Sequence, residues 1–152
     1  MNVISLLTPK AQVAYLYDDF TVRQGLEKLR AHGYTAIPVL ARDGSYVGTV
    51  SEGDFLWNLV DRQDNSLRSK EKQPLKSVMR KSFNPPVSVG VSMEELLERS
   101  MRQSFIPVVD DRGAFVGIVT RQNIIRPLTM PKVEPTRDSR ERWDRELAGA
   151  SV

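Results

Sequence analysis

The chain has 152 residues, enough for one domain or two small fused units, with 40 % apolar and 27 % charged residues. With no cysteine and a single histidine, disulfides, thiol catalysis, thiolate metal sites and a multi-histidine metal centre are excluded. A net charge of +3 and a pI near 9.3 suit a phosphate-bearing partner without singling one out.

The opening "MNVISLLTPKAQ" lacks a basic region followed by a long apolar stretch, so no signal peptide is expected. No apolar run reaches the roughly 18–20 residues of a membrane span, and a cytoplasmic protein is expected. Val22, Leu26 and Leu29 then fall at helical spacing behind Thr21, a natural N-cap. His32 closes that pattern just before Gly33, where a protonated imidazole would favour the helix end; it is assigned no catalytic role. Ala36–Leu40 reads as a buried strand, "ARDGS" as a turn around Gly44, and "YVGTV" as the returning strand. Ser51 opens a helix carrying Phe55, Leu56, Leu59 and Val60.

After the polar stretch "DRQDNSLRSKEKQP" the same order returns. Ser92 caps a helix whose stripe of Met93, Leu96, Leu97 and Met101 reads as core. Ile106–Val109 is a strand, "DDRGA" a turn around Gly113, and "FVGIV" the second strand. Thr120 opens a last helix with Ile124 and Ile125, expected to stop at Pro127. The tail from Pro131 has five basic and five acidic residues, with Trp143 and Leu147 as its main apolar content; a disordered segment or short exposed helix is expected.

A displacement of 69 residues lays one half on the other. Ile37, Pro38, Val39, Gly44, Val47, Gly48 and Val50 fall on Ile106, Pro107, Val108, Gly113, Val116, Gly117 and Val119. Near-matches fill the gaps: Tyr46 with Phe115, Ser51 with Thr120, Asp54 with Asn123. Such ordered identity marks an internal repeat. The expected organisation is a unit over 2–61, a polar linker over 62–74, a second unit over 75–128 and a tail over 129–152. The class is α/β (α+β), with strand–helix–strand–strand–helix in each unit. Neither unit buries enough apolar surface alone. The two are therefore expected to pack sheet to sheet as one pseudo-two-fold body, with crevices between them as ligand sites.

This pattern resembles the CBS domain in tandem, the two-repeat Bateman module, over roughly residues 2–128. The resemblance is carried by "GYTAIPV" and "GTVSEGD" in the first unit and by "SFIPVV" and "GIVTRQN" in the second. It implies a non-enzymatic regulator that binds an adenosine-containing ligand between the repeats. "GYTAIPVL", with Thr-Arg after the last strand, further resembles stand-alone two-repeat proteins of Gram-positive bacteria that bind cyclic di-AMP. AMP, ADP or ATP is the alternative ligand. The resemblance also implies a homodimer and an unidentified protein partner.

Chemistry gives these residue types independent roles. A carboxylate such as Asp54, on the first turn of a helix, can accept from both hydroxyls of a ribose. Ser51 and Thr120, at helix starts, offer a hydroxyl beside free backbone N–H groups to a phosphate. Arg121 can add a charge-assisted contact. Ala14, Tyr34, Thr35, Ala36 and Pro38 are candidates for an apolar wall against a base. Ser51-x-x-Asp54 has, equally, the spacing of a helix capping box, a purely structural device. Arg121 also reads as an ordinary surface charge, and Tyr34 as cover for a sheet edge. Asn123 lacks the charge of Asp54, though its amide can still hydrogen-bond. The second unit is two residues shorter between N-cap and proline (Ser92 to Pro107, against Thr21 to Pro38) and has no counterpart of Gly33. One competent cleft is therefore expected, joining the "YTAIP" wall to Thr120 and Arg121, with a weaker second cleft at Ser51, Asp54 and Asn123.

Two rival classes have less behind them. Arg62 to Lys81 holds seven basic against two acidic residues, but no RNA-reading aromatic motif accompanies it, and it reads as a solvated linker. No nucleophile or acid–base pair forms a recognisable constellation, so no enzyme is expected.

Overall fold

A computed structural model describes residues 2–61 and 67–129, the side chains of 67 and 127–129 excepted. The expected charged tail beyond Thr129 and part of the expected linker lie outside the described residues.

The first unit runs β2 (Leu16–Tyr17), α2 (Val22–His32), β3 (Ala36–Leu40), β4 (Tyr46–Ser51) and α3 (Glu52–Asp61). The second repeats it as β5 (Val87–Ser88), α5 (Met93–Ser100), β6 (Phe105–Val109), β7 (Phe115–Thr120) and α6 (Arg121–Thr129). Before them stand α1 (Val3–Leu6) and β1 (Thr8–Pro9), and between them α4 (Leu67–Lys72) and a 3₁₀ turn (Leu75–Val78). Strand–helix–strand–strand–helix is thus realised twice, and six residues of the expected linker are helical.

Local chemistry accounts for the boundaries. Thr21 caps α2 through a reciprocal box with Gln24, and the helix ends on Gly33 at φ 66°, a left-handed conformation that favours glycine. Ser92 caps α5 by accepting from the Glu95 N–H. Both hairpins turn on a positive-φ glycine, Gly44 at 91° and Gly113 at 81°. In each hairpin a register shift follows the glycine-paired residue, between Val39 and Leu40 and between Val108 and Val109.

The structure departs from the sequence reading at three points. Met101 does not extend the α5 stripe: it sits one residue past the helix and is 81 % exposed. Of the apolar residues on α3 only Phe55 is buried, while Leu56, Trp57, Leu59 and Val60 face outward. Pro127 does not stop α6, which continues to Thr129; a proline removes only one N–H from the ladder so near a helix end.

The sheets are ordered β2-β3-β4 and β1-β7-β6-β5. The extra strand reveals an exchange between the units. β1 pairs antiparallel with β7 of the second unit, and Val3 and Leu6 enter a core with Val87, Leu96, Ile106, Val108, Val119 and Ile124. Reciprocally, Leu75 and Val78, which lead into the second unit, are buried in the first unit's core beside Leu16, Val22, Ile37, Val50 and Phe55. Each unit's lead segment therefore completes the other unit.

The seam is closed by side chains from both hairpins. Ala36 and Leu40 share an apolar cluster with Phe105, Phe115 and Ile118, edged by Val13, Tyr15 and Tyr46. The two turns also bond directly: the Tyr46 N–H donates to Gly113 O at 3.2 Å and the Phe115 N–H to Gly44 O at 2.9 Å. This is the sheet-to-sheet, pseudo-two-fold arrangement expected from the repeat. Among the described residues, no helix is long and apolar enough to cross a membrane.

Candidate functional site

The two halves bring equivalent groups to the mouth of each hairpin. In the first unit Ala36 pairs with Ser51 across β3 and β4, and the Glu52 N–H donates to Thr35 O at 2.9 Å. In the second, Phe105 pairs with Thr120 and the Arg121 N–H donates to Ser104 O, also at 2.9 Å. Each Ser/Thr-x-x-Asp/Asn segment thus opens its helix beside the first strand of its own hairpin. Seam packing then brings β3 against the second unit's hairpin, with Ala36 in one cluster with Phe105 and Ile118.

Among the described residues, three buried side-chain oxygens here have no hydrogen-bond partner: Thr35 Oγ1, Ser104 Oγ and Asn123 Oδ1. Thr35 and Ser104 are repeat mates, one residue ahead of β3 and β6. Asn123 is the repeat mate of Asp54. Buried polar atoms are normally paired, and an orphan costs stability.

The helix starts differ in state. Ser51 and Asp54 form the capping box: the Ser51 N–H and Oγ reach Asp54 Oδ2 at 2.8 and 3.1 Å, and the Asp54 N–H reaches Ser51 Oγ at 3.4 Å. Arg80 completes this group. Its Nε donates to Asp54 Oδ1 at 2.6 Å, its Nη2 to Ser51 Oγ at 3.2 Å, and its guanidinium carbon lies 3.7 Å from the Phe83 ring centroid. At the second helix start, Thr120 Oγ1 accepts from the Asn123 N–H at 3.2 Å, and Asn123 Nδ2 donates to Leu6 O at 3.3 Å. The Arg121 Nε donates to Ser100 O at 2.6 Å, at the C-terminus of α5, so one of its five N–H donors serves the fold.

The remaining wall candidates have these surroundings. Ala14 and Tyr34 pack on the first core, Ala36 lies in the seam, and Pro38 is buried opposite Thr49. The Tyr34 ring stacks on His32 at 5.3 Å. Next to Ala14, the Tyr15 ring lies within cation–π range of Lys10 and Lys28, and Lys28 Nζ donates to Tyr15 O at 2.6 Å.

Arg80, Phe83 and Ser104 stand at the candidate site and are not among the residues singled out from the sequence. Arg80 was counted only as part of a basic linker. In the structure Met79 and Leu7 lie against the repeat-mate glycines Gly48 and Gly117, which makes Arg80 the counterpart of Thr8. A polar network crosses the seam nearby. Tyr46 Oη bonds Thr49 Oγ1 and Asn84 O at 2.8 Å each, Asn84 Nδ2 donates to Thr49 Oγ1 at 3.2 Å, and Gln103 Nε2 donates to Asn84 Oδ1 at 2.8 Å. Desolvation pushes the Tyr46 phenol well above its ordinary range, against a smaller opposing effect of the Thr49 bond. No group of His, Asp or Glu side chains among the described residues could hold a metal ion.

The CBS domain family model matches residues 4–61 and 75–129. An uncharacterised protein of Methanocaldococcus jannaschii is 22 % identical over 143 residues, covering 74 % of this chain and 84 % of that protein. Among solved structures, CbpB in complex with cyclic di-AMP superposes with a TM-score of 0.77 at 21 % identity, covering 84 % of each chain. CBSX2 in complex with AMP gives a TM-score of 0.66 at 24 % identity, covering 84 % of this chain and 95 % of that one.

Proposed function

Because the chain belongs to the CBS domain family, we propose that it is a non-enzymatic nucleotide sensor. An adenine nucleotide, cyclic di-AMP first, binds in a cleft between the two units and alters the affinity for a partner protein. A ligand can do this only by binding two states of the protein unequally. The observation that carries the reading is the set of orphaned buried oxygens on Thr35, Ser104 and Asn123. Thr35 and Ser104 are repeat mates two residues ahead of the identical Ile-Pro-Val runs, Asn123 is the mate of Asp54, and a base and ribose offer the partners they lack. The cyclic di-AMP bound by CbpB supports the choice of ligand, and the AMP bound by CBSX2 supports AMP as the second reading.

In this account the wall is Ser104 and, from across the seam, Ala36 of the expected wall, while Thr35 stands at the Ser51 end. Thr120 and the N–H groups that open α6 take a phosphate, and the remaining donors of Arg121 add charge to that contact. A direct test is Ser104→Ala, which deletes the orphaned hydroxyl beside the start of α6. The unliganded protein should become more stable by about 1–2 kcal/mol, because a buried unpaired group is removed. Affinity for the nucleotide should fall on the order of tenfold by titration calorimetry. Unchanged affinity would remove Ser104 from the site.

A further inference from the structure

Asp54 carries the charge best suited to a ribose, yet both of its oxygens are taken. Oδ1 accepts from Arg80 and Oδ2 from Ser51, and its side chain is only 3 % exposed. Ser51 Oγ is engaged as well, by Arg80 Nη2 and the Asp54 carboxylate. Arg80 is braced on Phe83 while its side chain stays 53 % exposed. The guanidinium therefore sits from the solvent side over both groups that a ribose and a phosphate would need. Among the described residues, no cation is placed in this way over Thr120 and Asn123 of the second unit. Thr8 takes the place of Arg80, its backbone is bound into the β1–β7 ladder, and Asn123 keeps an unpartnered oxygen.

We propose that Arg80 decides which of the two helix starts takes ligand: it is an internal occupant that closes the Ser51–Asp54 end and leaves the Thr120–Asn123 end to bind. This rests on the nucleotide reading above and gives it a stoichiometry, one open site per chain. It gives a physical cause for the weaker cleft expected at Ser51 and Asp54, and moves Asn123 from that cleft to the open end. A nucleotide must break a charge-assisted, doubly anchored contact to reach Asp54, whereas it meets an orphaned acceptor at Asn123.

The test counts sites per chain by titration calorimetry of the full chain with AMP and, separately, cyclic di-AMP. Arg80→Met keeps the stem on Phe83 and removes the cation; Arg80→Gln serves if the first variant is unstable by thermal melting. One site in the wild type and two in the variant is the expected result. No site in the wild type and one in the variant would uphold the closure by Arg80 and refute the open Thr120–Asn123 end. One site in both, or two in the wild type, would overturn the proposal while leaving nucleotide binding intact. No site in either protein would overturn both.

Discussion

Tyr46 and Phe115 occupy the same position in the two hairpins, paired with Leu40 and Val109, but only Tyr46 brings a hydroxyl to the seam. That hydroxyl holds Asn84 O, and Asn84 itself sits at a left-handed φ of 55°. Tyr46→Phe should fit sterically, since Phe115 does so in the other unit. It should still cost about 1–3 kcal/mol by leaving the Asn84 carbonyl unpaired. The sign of the pH dependence follows from the raised phenol. A group whose folded pKa exceeds its unfolded value stabilises fully below the unfolded pKa, about 10 for tyrosine, and loses that contribution as pH rises further. Denaturant melts should thus show a wild-type advantage that is constant from pH 7 to 9 and narrows above 10. A constant gap at alkaline pH would show that Tyr46 is not buried as a neutral phenol.

At the scale of elements, the exchange of lead segments rests on Gly117. A Cβ at this residue would run into Thr8 O and press on Leu7, so β1 reaches β7 only because the side chain is missing. Gly117→Ala should detach β1, expose Val3 and Leu6 and cost about 3–5 kcal/mol. Hydrogen exchange should then quicken on β7 at Ile118, the partner of Thr8. A variant as stable as the wild type, with β7 still protected, would contradict the exchange. This pairing was not legible in the sequence, because a two-residue strand carries no periodicity and its partner lies far along the chain. The repeat, the caps at Thr21 and Ser92 and the hairpin glycines were legible, since each is decided by residues a few positions apart. Which apolar residues of α3 face inward was not, because that depends on how the helix meets its neighbours. For the same reason Arg80 could be counted as a linker charge: its meaning lies in Asp54, 26 residues earlier.

At the scale of the whole molecule, reciprocal lead segments and shared seam residues make the two units one cooperative body. The outward face of α3 is then the largest unexplained feature. Leu56, Trp57 and Val60 are 58, 65 and 64 % exposed on a single helix. The homodimer implied by the repeat family would cover such a face with a second copy of the chain. Sedimentation should show a dimer for the wild type and a monomer for Trp57→Glu; a monomeric wild type would leave the face to a different partner. The central claim is nucleotide sensing, and titration calorimetry of the wild-type protein with cyclic di-AMP, AMP and ATP tests it most directly. Near-stoichiometric binding of cyclic di-AMP, tighter than AMP or ATP, is the predicted result. Heat from none of the three would contradict the account and leave the fold as an interaction scaffold.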